Sequence, residues 1–193
     1  MIVMDTLPAN KEHFGELLDF GAAVIDVCRE LGIEPVASGS LAVFAYTANT
    51  DLEINDLDLS CSELDFPRLG AALKEKGVEV RLTAWHVLQA LRDDLKVEFD
   101  AREIWLRDLP GDYETLHIGD VRLRIIGSSA LETLYQRGIE ATTNSSNASD
   151  IAKNQSFHDK IEVLRKGRDT ARRGIHHTSA GHVGTMPVRS QND

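Results

Sequence analysis

Residues 54–61 read INDLDLSC, and the triplet Asp56-Leu57-Asp58 inside them decides how the rest of the chain is read. Acid and apolar residues alternate with the period of a β-strand, so Asp56 and Asp58 project from one face while Leu57 and Leu59 enter the core behind it. Two carboxylates held side by side repel each other unless a cation lies between them, and binding a metal is one way to offset that cost. A second acidic stretch, LKVEFDA at 95–101, alternates in the same way. Glu98 on such a neighbouring strand would complete an all-oxygen site suited to Mg²⁺. Asp100, two residues on and on the same face, is the alternative third carboxylate. The plain alternative for these acids is a solvated strand end or the polar face of a hairpin in a chain with 31 Asp and Glu. Against that, Asn55 and both acids interrupt an otherwise core-like strand.

Upstream, Gly39-Ser40 opens a helical stretch over Leu41–Tyr46, with Ser40 as its expected cap. A helix start of this kind offers backbone N–H groups and a hydroxyl to phosphate oxygens, aided by the positive end of the helix dipole. Further out, apolar residues at helical spacing from Phe14 to Leu31 predict a helix over 11–31, stopped by Gly32. Cys28 falls on its apolar stripe and reads as a small buried residue. Glu34 to Ser38 predicts a short entry strand, and Pro67 suits the first turn of a helix ending near Gly77. Strands are expected at 78–82, 87–91 and 95–101, with Asp93-Asp94 turning the last two into a hairpin. Another pair of strands should flank the Gly119-Asp120 turn, followed by a helix over 130–137 capped by Ser128 or Ser129. Residues 144–149 read as a polar loop and 157–168 as a last amphipathic helix. Beyond Arg172 there is little to bury, so a disordered tail is expected. Trp85 and His86 read as packing residues, and Trp105 as a core residue or the cover of a pocket.

In this order, the helix, the Gly-Ser pair, the acid-apolar-acid strand, the hairpin and the acidic strand resemble the nucleotidyltransferase superfamily of the polymerase-beta type. The stretches that carry the resemblance are GIEPVASGSLAVFAY, INDLDLSC, LKVEFDA and IIGSSALETLYQRG, between about Phe14 and Arg137 and more loosely to Leu164. More narrowly the chain resembles small bacterial members: lincosamide and aminoglycoside nucleotidyltransferases, and the nucleotidyltransferase toxins of toxin–antitoxin pairs. The resemblance implies an α+β fold, a mixed β-sheet flanked by helices, with a nucleotidyltransferase-like domain at 11–137. A loop and C-terminal helix would occupy 138–170, and the tail 171–193. It further implies that Gly39 and Ser40 hold the triphosphate of an NTP. Asp56 and Asp58 would bind two Mg²⁺, and Glu98 would share one of them and draw a proton from an acceptor hydroxyl. Arg137 is a candidate phosphate contact, with Lys153 and Lys160 behind it. The acceptor stays open between a small molecule, RNA and a protein, and a homodimer or an antitoxin partner would suit so short a chain. The competing class is a binding module of the same fold without catalysis, suggested by Glu where the family usually has Asp.

Bulk properties set the frame. The chain has 193 residues, 42% hydrophobic, which suffices for one packed domain. Its net charge is −10, unevenly spread: residues 151–193 carry eight Lys/Arg and four Asp/Glu, leaving 13 and 27 to the first 150. An acidic body argues against a protein whose main task is holding nucleic acid, while the basic end leaves room for a transient RNA contact. Two cysteines without CxxC spacing exclude a disulfide framework, and seven histidines show no zinc-ligand spacing. With neither a signal-like start nor a long apolar run, a cytoplasmic protein is expected and no membrane partner.

Overall fold

The computed structural model describes residues 1–178 apart from 5 and 110, and the side chains as far as residue 168. Its centre is one mixed eight-stranded sheet. In chain order the elements are β1 (Ile2–Val3), α1 (Lys11–Glu30), β2 (Val36–Ala37), α2 (Gly39–Thr47) and β3 (Leu57–Cys61). Then come α3 (Phe66–Glu75), β4 (Glu79–Leu82), β5 (Val87–Arg92), β6 (Leu95–Ala101) and the single turn α4 (Arg102–Trp105). They are followed by β7 (Tyr113–Ile118), β8 (Val121–Ile126), α5 (Ser128–Thr142) and α6 (Ala148–Thr178). The strand order is β1-β7-β8-β2-β3-β6-β5-β4. The pairs β1–β7, β2–β8 and β3–β6 are parallel, and the others are antiparallel. The expected α+β fold with a mixed sheet is therefore the one present.

The two faces of this sheet differ in kind, and the alternation in β6 shows why. Leu95, Val97, Phe99 and Ala101 are buried, whereas Lys96, Glu98 and Asp100 are only half-buried. The apolar face is covered by α1 and α3. Helix α1 buries Phe14, Leu17, Phe20, Val24, Ile25 and Cys28 against it. Full burial of each large side chain is worth roughly 1.5–3 kcal/mol. The helix comes unusually close to β3: a Cβ at Gly21 would stand 2.3 Å from Leu57 Cδ1. Gly21 thus lets the helix back directly onto the strand that carries the acids. Gly32 takes the left-handed conformation (φ 68°) that ends the helix, as its position in the sequence suggests.

Several boundaries depart from expectation. Ser38, not Ser40, holds the N-cap position of α2, and Ser40 lies inside the helix. Likewise Gly127 precedes α5, so Ser128 and Ser129 are helical rather than capping. Helix α6 begins at Ala148 rather than 157 and runs to Thr178, taking in part of the expected loop and the first residues of the expected tail. Residues 179–193 lie outside the described residues. Trp85, read as a packing residue, is 76% exposed, and Trp105 is 38% exposed on the short turn α4. His86 is exposed too and pairs with Glu63. The aromatic character of the tryptophans suggested burial, but Trp85 and His86 lie in the connection between β4 and β5, and Trp105 ends the short turn α4.

Candidate functional site

The register of β3 on β6 brings the acids together. Asp58 lies beside Glu98 and Ser60 beside Asp100, with Leu57 and Leu59 against Val97 and Phe99 on the opposite face. One ligand oxygen from each of Asp56, Asp58 and Glu98 lies within 4.8 Å of the others. Among the described residues this is the one group of metal-ligating side chains so gathered. Asp100 sits one step further along the same face and outside that group.

Asp56 precedes the strand, and its position is set by a part of the chain that sequence reasoning passed over. The Asn10 amide grips the loop before β3 from both sides: Oδ1 accepts from Ile54 N–H (3.0 Å) and Nδ2 donates to Ile54 O (2.9 Å). The same amide nitrogen donates to Asn55 Oδ1 at 3.1 Å. Ile54 itself is fully buried. What reads as a polar loop is therefore fixed at its last turn, directly before the first acid.

Gly39 is pressed onto the second acid. It has φ +60°, and a Cβ there would stand 1.7 Å from Asp58 Oδ2. The Ser38 N–H donates to Asp58 O at 2.8 Å, so strand and helix start are joined at this point. The first turn of α2 consequently opens beside the carboxylates, which places Gly39 and Ser40 next to the acids, as the sequence suggested. Helix α2 is buried nearly all round through Leu41, Ala42, Val43 and Phe44, so its start cannot shift without disturbing the core.

Charge balance in the site comes from Lys96 and Gln89, which the sequence left without a role, and from Lys153 and Lys160, which it named as phosphate contacts. The Lys96 ammonium bridges Asp56 (2.9 Å) and Glu98 (3.0 Å). Partial burial lowers the tendency of Lys96 to stay charged, but the two carboxylates outweigh it and its pKa rises. Gln89 of β5 donates to the same Glu98 oxygen at 2.6 Å. Burial first, then the charge of Asp56, pushes the Asp58 carboxyl upward, while Lys160 of α6 opposes the rise. Burial followed by the charges of Glu98 and Asp56 pushes Asp100 to about 7, with Lys153 acting against it. Lys96 was visible in the sequence as the residue two before Glu98, on the same strand face. Gln89 carried no signal before the hairpin register was known.

Helices α5 and α6 form the far wall. Gly138 lets them meet closely, since a Cβ there would stand 2.5 Å from the Phe157 ring. Phe157 stacks on Tyr135 at 5.5 Å, and Lys160 Nζ lies 5.5 Å from the Tyr135 ring centre. Tyr135 is buried, its hydroxyl has no hydrogen-bond partner, and its pKa is raised by burial and then by Asp58. Glu132 of α5 receives both Arg165 and Arg168, fixing the second half of α6. Arg137 is placed differently: it is exposed and donates to the Arg107 carbonyl. The cations whose fields reach the acids are thus Lys96, Lys153 and Lys160.

The donor set fits a hard cation. Three carboxylate oxygens converge, an ammonium already bridges two of them, and the half-buried Asp58 is unfavourable as an uncompensated anion. The buried thiols of Cys28 and Cys61, each pushed up to about 12 mainly by burial, face no such role.

This sheet, with its paired acids beside a Gly-Ser helix start, has the nucleotidyltransferase fold. Among solved structures it is similar to the antibiotic-resistance factor ANT(2'')-Ia in solution, with TM-score 0.52 and 15% identity over 88% of this chain and all of that one. It is also similar to the crystal structure of ANT(2'')-Ia in complex with adenylyl-2''-tobramycin, with TM-score 0.50 and 16% identity over 81% of this chain and 99% of that one. The lincomycin-bound lincosamide adenylyltransferase LnuA matches with TM-score 0.47 and 12% identity, over 86% of this chain and 98% of that one. No family model and no curated protein matches the sequence.

Proposed function

We propose that the protein is a nucleotidyltransferase that moves a nucleoside monophosphate from an NTP to a hydroxyl acceptor. The observation that carries this reading is the convergence of Asp56, Asp58 and Glu98 beside the Gly39 start of α2. In it, backbone N–H groups at Gly39 and Ser40 bind phosphate oxygens, and Lys160 and Lys153 on α6 face the outer phosphates. Asp56 and Asp58 would hold Mg²⁺, with Glu98 sharing one ion and Asp100 next in line. When bound, the metal supplies the positive charge that aligns and offsets the phosphates. Glu98 accepts the proton of the acceptor hydroxyl, the acceptor oxygen bonds to the α-phosphorus, and the bond from that phosphorus to pyrophosphate breaks. The protein contributes position and charge rather than a covalent intermediate.

ANT(2'')-Ia has been seen with adenylyl-2''-tobramycin, and a small-molecule hydroxyl is accordingly the first acceptor class to try, before RNA or a protein side chain. The direct test is pyrophosphate release from each NTP with Mg²⁺ and each acceptor class. Release that disappears in Asp56→Ala/Asp58→Ala is expected.

A second reading has its own observation. The Lys96 ammonium already bridges Asp56 and Glu98, so the chain could balance its acids internally and serve as a binding module. That reading predicts no turnover in the natural chain and activity gained on Glu98→Asp with Lys96→Ala. The transfer reading predicts turnover in the natural chain.

A further inference from the structure

We infer that the edge strand β4 is a self-pairing surface, through which two copies of this chain join their sheets into one. Strand β4 lies at the end of the sheet, with β5 on one side and no strand beyond it among the described residues. Its backbone parity follows from the hairpin. The Thr83 N–H donates to Val87 O at 2.9 Å, and Arg81 is paired with Gln89 and Glu79 with Leu91. In an antiparallel ladder the backbone groups alternate sides. Residues 79, 81 and 83 therefore point theirs at β5, and Val80 and Leu82 point theirs outward.

That parity suits a two-fold axis. With Val80 opposite Val80 of the partner subunit, each offers its outward N–H and C=O to the other, closing a symmetric pair of hydrogen bonds. The neighbouring positions then place Glu79 across from Arg81 of the partner subunit, and Arg81 across from Glu79 of the partner subunit. These are non-hydrogen-bonded pairs, the kind in which side chains approach closest and opposite charges stabilise. In the single chain Arg81 and Glu79 hold each other at 2.6 Å, half-exposed, and the exchange trades that contact for two across the interface.

Charges usually blunt an edge strand because like signs meet when it pairs with a copy of itself. Here the order Glu-Val-Arg makes the edge self-complementary instead. Apolar surface lies alongside it. Leu82 is 65% exposed at the end of the strand and Trp85 76% exposed in the following turn. Leu64, 88% exposed, adjoins Glu63, which holds His86 of that same turn. A buried tryptophan contributes on the order of 150–250 Å² to an interface. The acid-bearing faces of both subunits would look out on one side of a continuous sheet, since Arg81, Gln89, Glu98 and Asp58 form one cross-strand row.

The test uses the full chain and sedimentation velocity over a concentration series. The natural protein should be a dimer. Arg81→Glu, which sets four acids around the axis, should weaken association by about tenfold or more, and Glu79→Arg should do the same with four bases. The combined swap Glu79→Arg/Arg81→Glu restores opposite charges and should restore the dimer. Both side chains are exposed, so folding is not at stake, and unchanged circular dichroism will show it. A monomer at every concentration would overturn the proposal, as would a dimer indifferent to either single reversal or a swap that fails to rescue.

Discussion

Gly39 is the residue on which the site turns. Its left-handed backbone is one that a side chain disfavours, and the space a Cβ would take is filled by Asp58 Oδ2. In the proposed reading two requirements meet at this one position, a helix start for phosphate and a carboxylate for metal. Gly39→Ala should lower stability by about 1–3 kcal/mol through strain and displace Asp58. A chemical denaturation midpoint will read the first effect, and the loss of Mg²⁺-dependent stabilisation the second. An alanine variant that keeps its full response to Mg²⁺ would show that the close approach is dispensable. The sequence grouped Gly39, Asp56, Asp58 and Glu98, and the structure brings them side by side; for the acids, period-2 alternation fixes which face each takes. It left Glu98 and Asp100 open as the third acid, since both share that face, and only the β3–β6 register puts Glu98 beside Asp58. Arg137 was named as a basic residue on the helix after the sheet; direction around a helix depends on tertiary packing, and in the structure its guanidinium donates to the Arg107 carbonyl.

At the scale of elements, strong periodicity was readable and weak periodicity was not. Helix α1 carries a full apolar stripe, and β6 alternates without a fault, so both were legible to within a residue or two. Helix α6 was half seen. Ile161 and Leu164 are buried where it meets the body, but its first turns bury little, and polar residues such as Ser145, Asn147 and Ser149 read as loop. The structure holds that start by a local cap, in which Asn147 Oδ1 accepts from the Ser149 N–H, and by a tie to α5, in which Asn154 donates to the Ile139 carbonyl. Strand β1 has only two residues and is defined by its parallel partner β7, a long-range pairing that no local pattern announces. The exposed Trp85 shows the converse limit, since composition marks a residue as apolar without saying whether an element covers it.

For the whole molecule the central fact is an acidic body in which several half-buried acids are crowded together, with a basic helix α6 packed beside them. No helix among the described residues is long and apolar enough to cross a membrane. The crowding links stability to pH. Asp100 is held up to about 7 in the fold, against an ordinary carboxylate value near 3.9 in the unfolded chain, and Asp58 is raised as well. Between those values the folded state keeps protons that the unfolded state has released. Metal-free stability should therefore fall as pH rises from about 4 to 7 on account of these groups, and level off above that. Mg²⁺ should restore it most at the upper end. Thermal melts at pH 5 and pH 8 should show a larger Mg²⁺-induced rise at pH 8, with about 2–4 °C per kcal/mol for a chain of this size. An equal rise at both would mean that the metal does not act at these carboxylates.

The measurement closest to the central claim is titration calorimetry of each NTP into the protein with and without Mg²⁺, repeated on Asp56→Ala/Asp58→Ala. Metal-dependent binding of at least one NTP, abolished in the folded double variant, is the expected result. Binding that survives the loss of both aspartates, or none with any NTP in the natural chain, would contradict the site as assigned.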